Sequence, residues 1–420
     1  MSPSVYAEFG YAYVTADCAP FDFELKHTPE DFLVEELPLY PATGSGDHLL
    51  IEVEKRGLTT LHAISRMAQA LGRKPRDFGY AGMKDRHALT RQRFSVEHVP
   101  LEDVQSLEIE GLQILSVERH ASKLRLGHLA GNRFELTLRG LAETEFERLE
   151  ASLELVARTG LPNWFGEQRF GRHANGHKLG RHLLLGEWSE YLTRSLMSEG
   201  LELSEERLRE IVEGRESEPL YELARKVDRD LAGVLRRYAT GGSVGRAVRG
   251  VPRPVRSLQL SALQSYLFNG LLAQRLENAE PWQLARGDVA WIHAKGACFV
   301  VDGTEVDLRQ RTDEFELSPA GPLFGGRLLE AEDQTGVAED AMLHASDLTH
   351  AAFGSRDAQL RGARRPYRVP VRDASLRRSD TGPILSFTLP KGSYATSLVE
   401  ELRKRISERD SRSNRTDQSE

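Results

Sequence analysis

The sequence predicts an α+β fold in which a strand-rich domain is interrupted by a helical insertion. Three observations carry this reading. Segments of period two dominate the N-terminal third. A 3.6-residue period takes over from about residue 144 and runs to about 279. Near the C-terminus, "GPILSFTLPKGSYATSLVEELRKRI" returns to strand and then helix. Strands, then helices, then a strand–helix pair suit a domain whose chain leaves and comes back.

The elements follow in order. "DHLLIEVEKRG" reads as a strand with Leu49, Ile51 and Val53 on one face. "TTLHAISRMAQALG" reads as an amphipathic helix: Thr59 or Thr60 caps it, Leu61, Ile64, Met67 and Leu71 form its stripe, and Gly72 stops it. "FGYAG" and "RQRFSVE" are short strands, so Asp85 falls on the loop joining them. In "GNRFELTLRG", Phe134, Leu136 and Leu138 alternate with Arg133, Glu135, Thr137 and Arg139, a strand pattern. Stretches 144–158, 177–199, 202–214, 219–239 and 257–279 are helical. In the last helix Ser393 is the expected cap, and Glu400/Lys404 and Glu401/Arg405 are supporting pairs. The tail "SERDSRSNRTDQSE" has no apolar residue and is expected to be disordered. No internal repeat is evident.

Composition bounds the function. The chain has 420 residues, 40% hydrophobic and 28% charged, with a net charge of −7, which suits an ordinary protein of two to three domains with ample core. Two cysteines, Cys18 and Cys298, cannot build a disulfide framework or a clustered zinc site. "MSPSVYAEFGYAYVTAD" lacks a basic segment followed by an apolar one, so no signal peptide is expected. No apolar run approaches the ~20 residues of a membrane span. A reducing cytoplasm is the default setting. Charge is uneven, however. Residues 225–256 hold nine Lys/Arg against two Asp, and residues 361–378 hold seven Arg against Asp373. Two basic blocks on an acidic chain suggest a polyanion-binding face. The first block reads equally well as a solvated helix face with ion pairs. The second favours binding, because "RGARRPYRVP" has no acid of its own to pair with.

Most motif candidates fall away. "TGSGD", "GGSVG" and "PKGS" fit neither a dinucleotide fingerprint nor a P-loop and read as turns. His173 and His177 lie four apart, but Gly171 and Gly176 argue against the helix a metal pair needs, and His177 reads as a surface residue. Asp85 stands out. "GYAGMKDRHALTRQRF" sets it between Lys84 and Arg86, with His87, Arg91 and Arg93 following. A carboxylate beside cations is usually a loop ion pair. Here the loop is short and joins two strands, so it can hold a side chain rigidly. Neighbouring cations favour the ionised form, which suits a nucleophile or base. Phe134 by its alternation is core, and Lys26 in "FELKHTPEDF" alone is an exposed lysine.

Six blocks in series change the weighing. "KHTPEDFLVEELP", "AGMKDRHALTRQ", "LRLGHLAGNRFELTLRG", "GLPNWFGEQRFGR", "SALQSYLFN" and "PKGSYATSLVEELR" together resemble the TruD family of tRNA pseudouridine synthases, from about residue 22 to 404. The resemblance implies a pseudouridine-synthase-like catalytic domain with a mixed or antiparallel sheet over 1–157 and 349–408. It also implies a mostly helical insertion domain over 158–348 and a tail over 409–420. It implies an isomerase that converts uridine to pseudouridine in tRNA, typically at position 13. Asp85 takes the place of the family's catalytic carboxylate. Phe134, preceded by Asn132, takes that of the phenylalanine stacking near the target base, and Lys26 that of the basic residue pairing with the aspartate. Lys84 and Arg86 join Lys26, Asn132 and Phe134 as expected substrate-binding residues. No cofactor or metal is expected, no membrane, and no obligate protein partner; the chain is expected to act as a monomer on tRNA.

The chemistry suits these residues. The reaction breaks the C1′–N1 bond of uridine, turns the base and rejoins it through C5, with no redox change. One carboxylate suffices, whether it attacks C1′, removes the 2′ proton or adds to C6. The base lies inside folded RNA and must be flipped out, where an aromatic ring can stack on it. A non-catalytic RNA-binding protein on the same fold is the alternative reading. An RNA-cleaving enzyme using His87 is a second. Both are separated from the first by the product formed on tRNA.

Overall fold

The computed structural model describes residues 5–354 and 360–406. The expected tail, 409–420, lies outside them. The chain divides into two compact units: one holds Tyr13–Leu161 and Val369–Lys404, the other Met1–Ala12, Pro162–Arg368 and Arg405–Glu420. The second crossing falls at 368/369, where the sequence suggests 348/349, and the described residues 5–12 go with the inserted unit. The crossings are the two-residue strands β7 (Leu161–Pro162) and β12 (Arg368–Val369).

The discontinuous unit is built on an eight-stranded mixed sheet. Its strands are β1 (Phe32–Pro38), β2 (His48–Arg56), β3 (Gly79–Tyr80), β4 (Leu89–Glu97), β5 (Leu112–His120), β6 (Leu129–Thr137), β13 (Arg372–Arg377) and β14 (Ile384–Pro390). The order is β13-β14-β6-β1-β4-β2-β5, with β3 also on β4. Among the described residues only β1 and β4 run parallel; the other pairings of this sheet are antiparallel. The alternation read from sequence sets the faces. Phe134, Leu136 and Leu138 join Phe32, Val34, Leu385, Phe387 and Leu389 in one core, closed by α3 (Phe146–Thr159) and α14 (Ala395–Arg403). Leu49, Ile51 and Val53 join Phe94 and Val96 in another, against α1 (Thr60–Ala70). The short α2 (Leu101–Gln105) leads into β5.

Several local expectations change. Thr59 caps α1, its hydroxyl accepting from the His62 N–H, but Leu61 is 49% exposed. The buried stripe is Thr60, Ala63, Ile64, Met67 and Ala68, because the helix turns its alanines inward where it lies close to the sheet. In α14 the N-cap is Tyr394 rather than Ser393, and no side chain caps it. Lys404 ends the helix at φ 52° and gives its Nζ to the Thr15 hydroxyl and the Glu401 carbonyl.

The inserted unit is mostly helical. It carries α4 (Gly176–Leu185), α5 (Trp188–Met197), α6 (Glu205–Glu213), α7 (Ser217–Leu223), α8 (Arg229–Ala239), α9 (Val244–Val248) and α10 (Arg253–Leu276), which share one core. The single stretch expected at 177–199 is broken at Gly186, which takes the left-handed conformation. A four-stranded sheet was not expected: β8 (Val289–Ile292), β9 (Ala297–Val300), β10 (Leu317–Leu323) and β11 (Ala363–Pro366), in the order β11-β10-β8-β9. Around it lie α11 (Leu308–Asp313), α12 (Asp333–Ala345) and α13 (His350–Phe353). His177 is no surface residue: it is 4% exposed, its ring stacked on Tyr266 at 4.4 Å. No helix among the described residues is long and apolar enough to cross a membrane.

Candidate active site

Asp85 sits on the loop between β3 and β4, as the sequence reading expects, with 62% of its side chain exposed. Its Oδ2 accepts from Lys26 Nζ at 2.7 Å. Lys26 approaches from the segment before β1, 59 residues upstream. It holds φ 60°, a left-handed conformation that an L residue adopts at a cost of order 1–3 kcal/mol. Its ammonium also lies over the Phe32 ring, 4.3 Å from the centroid. Strain, ring and carboxylate together fix where the Lys26 charge sits.

The loop is held from beneath by buried polar side chains. Gln92, on β4 and 1% exposed, donates to the Gly82 carbonyl at 3.3 Å. Thr60, at the start of α1 and fully buried, accepts from the Lys84 N–H at 2.8 Å and donates to Gln92 at 3.0 Å. Lys55, on β2 and 1% exposed, donates from Nζ to the carbonyls of Leu58 at 2.7 Å and Asp85 at 2.9 Å. Burial pulls the Lys55 ammonium down to about 8, opposed by the nearby Asp85 charge and aided by that of Lys84. The sequence reading missed Lys55, although a signal was present. It occupies the next slot after Leu49, Ile51 and Val53 on the buried face, where an apolar residue was due.

The other expected site residues separate into groups. Lys84 faces inward: its Nζ pairs with Glu36 at 2.8 Å, with 6% and 2% of the two side chains exposed. It therefore anchors the loop and is not free to grip RNA, because Glu36, which also accepts from the Arg93 N–H, takes up its charge. Arg91 is likewise paired, with Glu54 at 2.9 Å. Arg86 is exposed and donates to the Gly57 carbonyl at 3.2 Å, and His87 beside it is exposed. Asn132 lies on β6 directly opposite Glu36, and its Oδ1 is buried without a hydrogen-bond partner. A buried acceptor without a partner is uncommon in a folded protein and marks this position on β6 as distinctive. Just before it, a Cβ at Gly131 would collide with the Leu389 carbonyl of β14, so the "GN" pair keeps two strands in contact. Phe134 is 6% exposed, stacked on Phe387 at 5.1 Å and edge-on to Phe32. In this state it belongs to the core beneath the site.

The second basic block is split: Arg361, Arg372, Arg377 and Arg378 are exposed, whereas Arg364, Arg365 and Arg368 are taken up by the fold. Arg364, with 1% of its side chain exposed, pairs with Glu339 of α12, 4% exposed. Arg365 bonds to Asn163 and lies over the Phe165 ring at 4.1 Å. Arg368 is 3% exposed and lies over Phe315. The acid that the local sequence lacked comes from 25 residues upstream. In the first block, by contrast, Arg225, Lys226, Arg229, Arg236, Arg237, Arg246, Arg249 and Arg253 are all exposed. Among the described residues no group of three His, Cys, Asp or Glu could hold a metal ion.

The fold is α+β, and on a loop locked to its mixed sheet it presents an exposed carboxylate clamped by a lysine at positive φ. Residues 8–402 match the family model described as tRNA pseudouridine synthase D. The chain belongs to the tRNA pseudouridine synthase D (TruD) family. It is 42% identical over 401 residues to the tRNA pseudouridine synthase D of Geobacter sulfurreducens, covering 94% of this chain and 97% of that one. With the protein of the same name from Syntrophotalea carbinolica it shares 40% over 397 residues, covering 93% and 98%. The crystal structure described as a tRNA pseudouridine synthase D of Methanosarcina mazei superposes with a TM-score of 0.78 at 22% identity, over 96% of this chain and 99% of that one, a likeness of fold.

Proposed function

We infer that this chain isomerises uridine to pseudouridine in tRNA, with Asp85 as the acting carboxylate and position 13 as the target. The observation that carries the reading is the Lys26–Asp85 pair, 2.7 Å long, on a loop whose backbone is fixed and whose carboxylate is open to a ligand. Rigid placement of a reacting group can supply a large share of a rate enhancement. The catalytic role goes to the unit of residues 13–161 and 369–404. The exposed cations of 225–256 supply phosphate contacts from the inserted unit. Asn132 meets a donor on the extruded base, and Arg86 meets the strand around it. Phe134 reaches a base only if the Phe32–Phe134–Phe387 cluster opens. tRNA is the only obligate partner in this reading, and the setting is cytoplasmic.

The test is Asp85→Asn. Asparagine keeps the shape and can still accept from Lys26, so the loop persists, but it cannot act as nucleophile or base. Single-turnover pseudouridine formation on tRNA should vanish while filter binding stays within about threefold of wild type. A folded Asp85→Asn protein that still isomerises uridine sinks the assignment. Strand scission instead of isomerisation by the wild type would point to His87 and an RNA-cleaving activity.

A further inference from the structure

Lys55 is the one lysine placed on the apolar face of β2, and the reaction as read so far does not use it. It lies in the register of Leu49, Ile51 and Val53, whose side chains are all at most 1% exposed. Its two hydrogen bonds both go to backbone carbonyls, Leu58 and Asp85. Burying a charge is costly unless it is paired, and a methionine or leucine would fill the same slot at no such cost. What the lysine gains in return is a hold on one particular atom: the carbonyl oxygen of the residue whose side chain does the chemistry.

We propose that Lys55 is a positioning residue for Asp85, fixing the loop backbone at that residue so that the carboxylate and Lys26 meet at the reacting base. The proposal rests on the reading of Asp85 given above. Three buried side chains pin the loop at successive points: Gln92 at Gly82, Thr60 at Lys84 and Lys55 at Asp85. Only Lys55 acts at the catalytic residue itself. Lys26 grips the side chain from the solvent side and Lys55 the main chain from the core side, so Asp85 is held at both ends. The depressed proton affinity of Lys55 accords with this role, because a neutral amine still has two N–H groups, enough for both carbonyls.

The test uses Lys55→Met, which keeps length and apolar volume, and Lys55→Gln, which keeps one donor. Each is measured for melting temperature, tRNA dissociation constant and single-turnover pseudouridine formation at saturating tRNA. With Lys55→Met, melting should stay within a few degrees, binding within about threefold, and the rate should fall about 100-fold, the scale of a roughly 1 Å misplacement. Lys55→Gln should fall between that variant and wild type. A merely structural lysine would move melting and leave the rate of the folded fraction intact. Rates within about threefold of wild type in both variants overturn the proposal. So does failure of both to fold, which makes Lys55 a scaffold residue only. If Asp85→Asn is inactive while Lys55→Met is fully active, the positioning role alone has failed. If Asp85→Asn remains active, the underlying site assignment has failed.

Discussion

Lys26 illustrates what single residues reveal and conceal. In isolation it is a lysine in a polar stretch, and nothing in its own neighbourhood names a partner 59 residues away. The family resemblance supplied the pairing, and the positive φ and the Phe32 ring supply its physical cause. Lys26→Gln should keep the fold and the tRNA affinity while the single-turnover rate drops roughly 10- to 100-fold, since a hydrogen bond to a charged group is worth about 1.5–3 kcal/mol. An unchanged rate would leave the pair without a catalytic part. Lys84 shows the opposite case. Its position next to Asp85 suggested an exposed grip, but burial depends on which strand passes beneath, and Glu36 on β1 passes there. Arg364 was misread for the same reason. A charge without a local counter-ion looks free in sequence, and only the packing of α12 on β11 brings Glu339 to it.

At the scale of elements, legibility follows from how well a segment obeys one period. β2 from Ile51 onward and β6 from Asn132 onward keep a period of two through most of their length and were plain. β1 was harder, because its inward register ends in a charged residue, Glu36. β10 carries Pro319 and Pro322, which argue against a strand flanked on both sides, and it was not foreseen. Helix α14 holds a titration that the sequence hid behind an apparent surface pair. Glu401 is fully buried and accepts from the Thr15 N–H and hydroxyl at 2.8 Å, and burial pushes its carboxyl up to about 7 from an ordinary 4.5. A carboxyl whose folded value is raised stabilises the native state fully below about pH 4.5, and that contribution is lost as pH climbs through 7. Urea unfolding at pH 5 and pH 8 should show wild type losing up to about 3 kcal/mol from this group. Glu401→Gln, which keeps an acceptor for Thr15, should lose distinctly less. Equal losses in the two proteins would clear Glu401 of the effect.

For the whole molecule, net charge is the wrong guide and its distribution the right one. The chain is acidic by 7 charges, yet α8 and its flanks present a row of exposed cations. Arg236→Ala with Arg246→Ala should weaken tRNA binding and flatten its log–log salt dependence by about 0.7–0.9 for each phosphate no longer neutralised. Arg364→Met should leave the slope alone and instead lower stability by roughly 3–5 kcal/mol, because it strands the buried Glu339. If Arg364→Met flattens the slope and the double variant does not, the binding face has been assigned to the wrong block. The change of period near residue 144 suggested an interrupted domain, and the chain divides into two compact units. The points of crossing were less legible, since the return at 368/369 is made by a two-residue strand inside an arginine-rich run.

The place of β14 beside β6 also sets a timetable for synthesis. About 250 residues separate Thr137 from Ile384, so a ribosome adding roughly 5–20 residues per second needs about 12–50 s to supply the second neighbour of β6. Until then the nascent chain offers an open strand edge next to Asn132 and Phe134, which other chains and chaperones can reach, and residues 162–368 of the inserted unit emerge during the wait. Pulse-labelled translation intermediates stalled before residue 384 should therefore be captured by a holdase far more than those released after residue 406. Slowing translation across the inserted unit should lengthen that window without altering the finished enzyme.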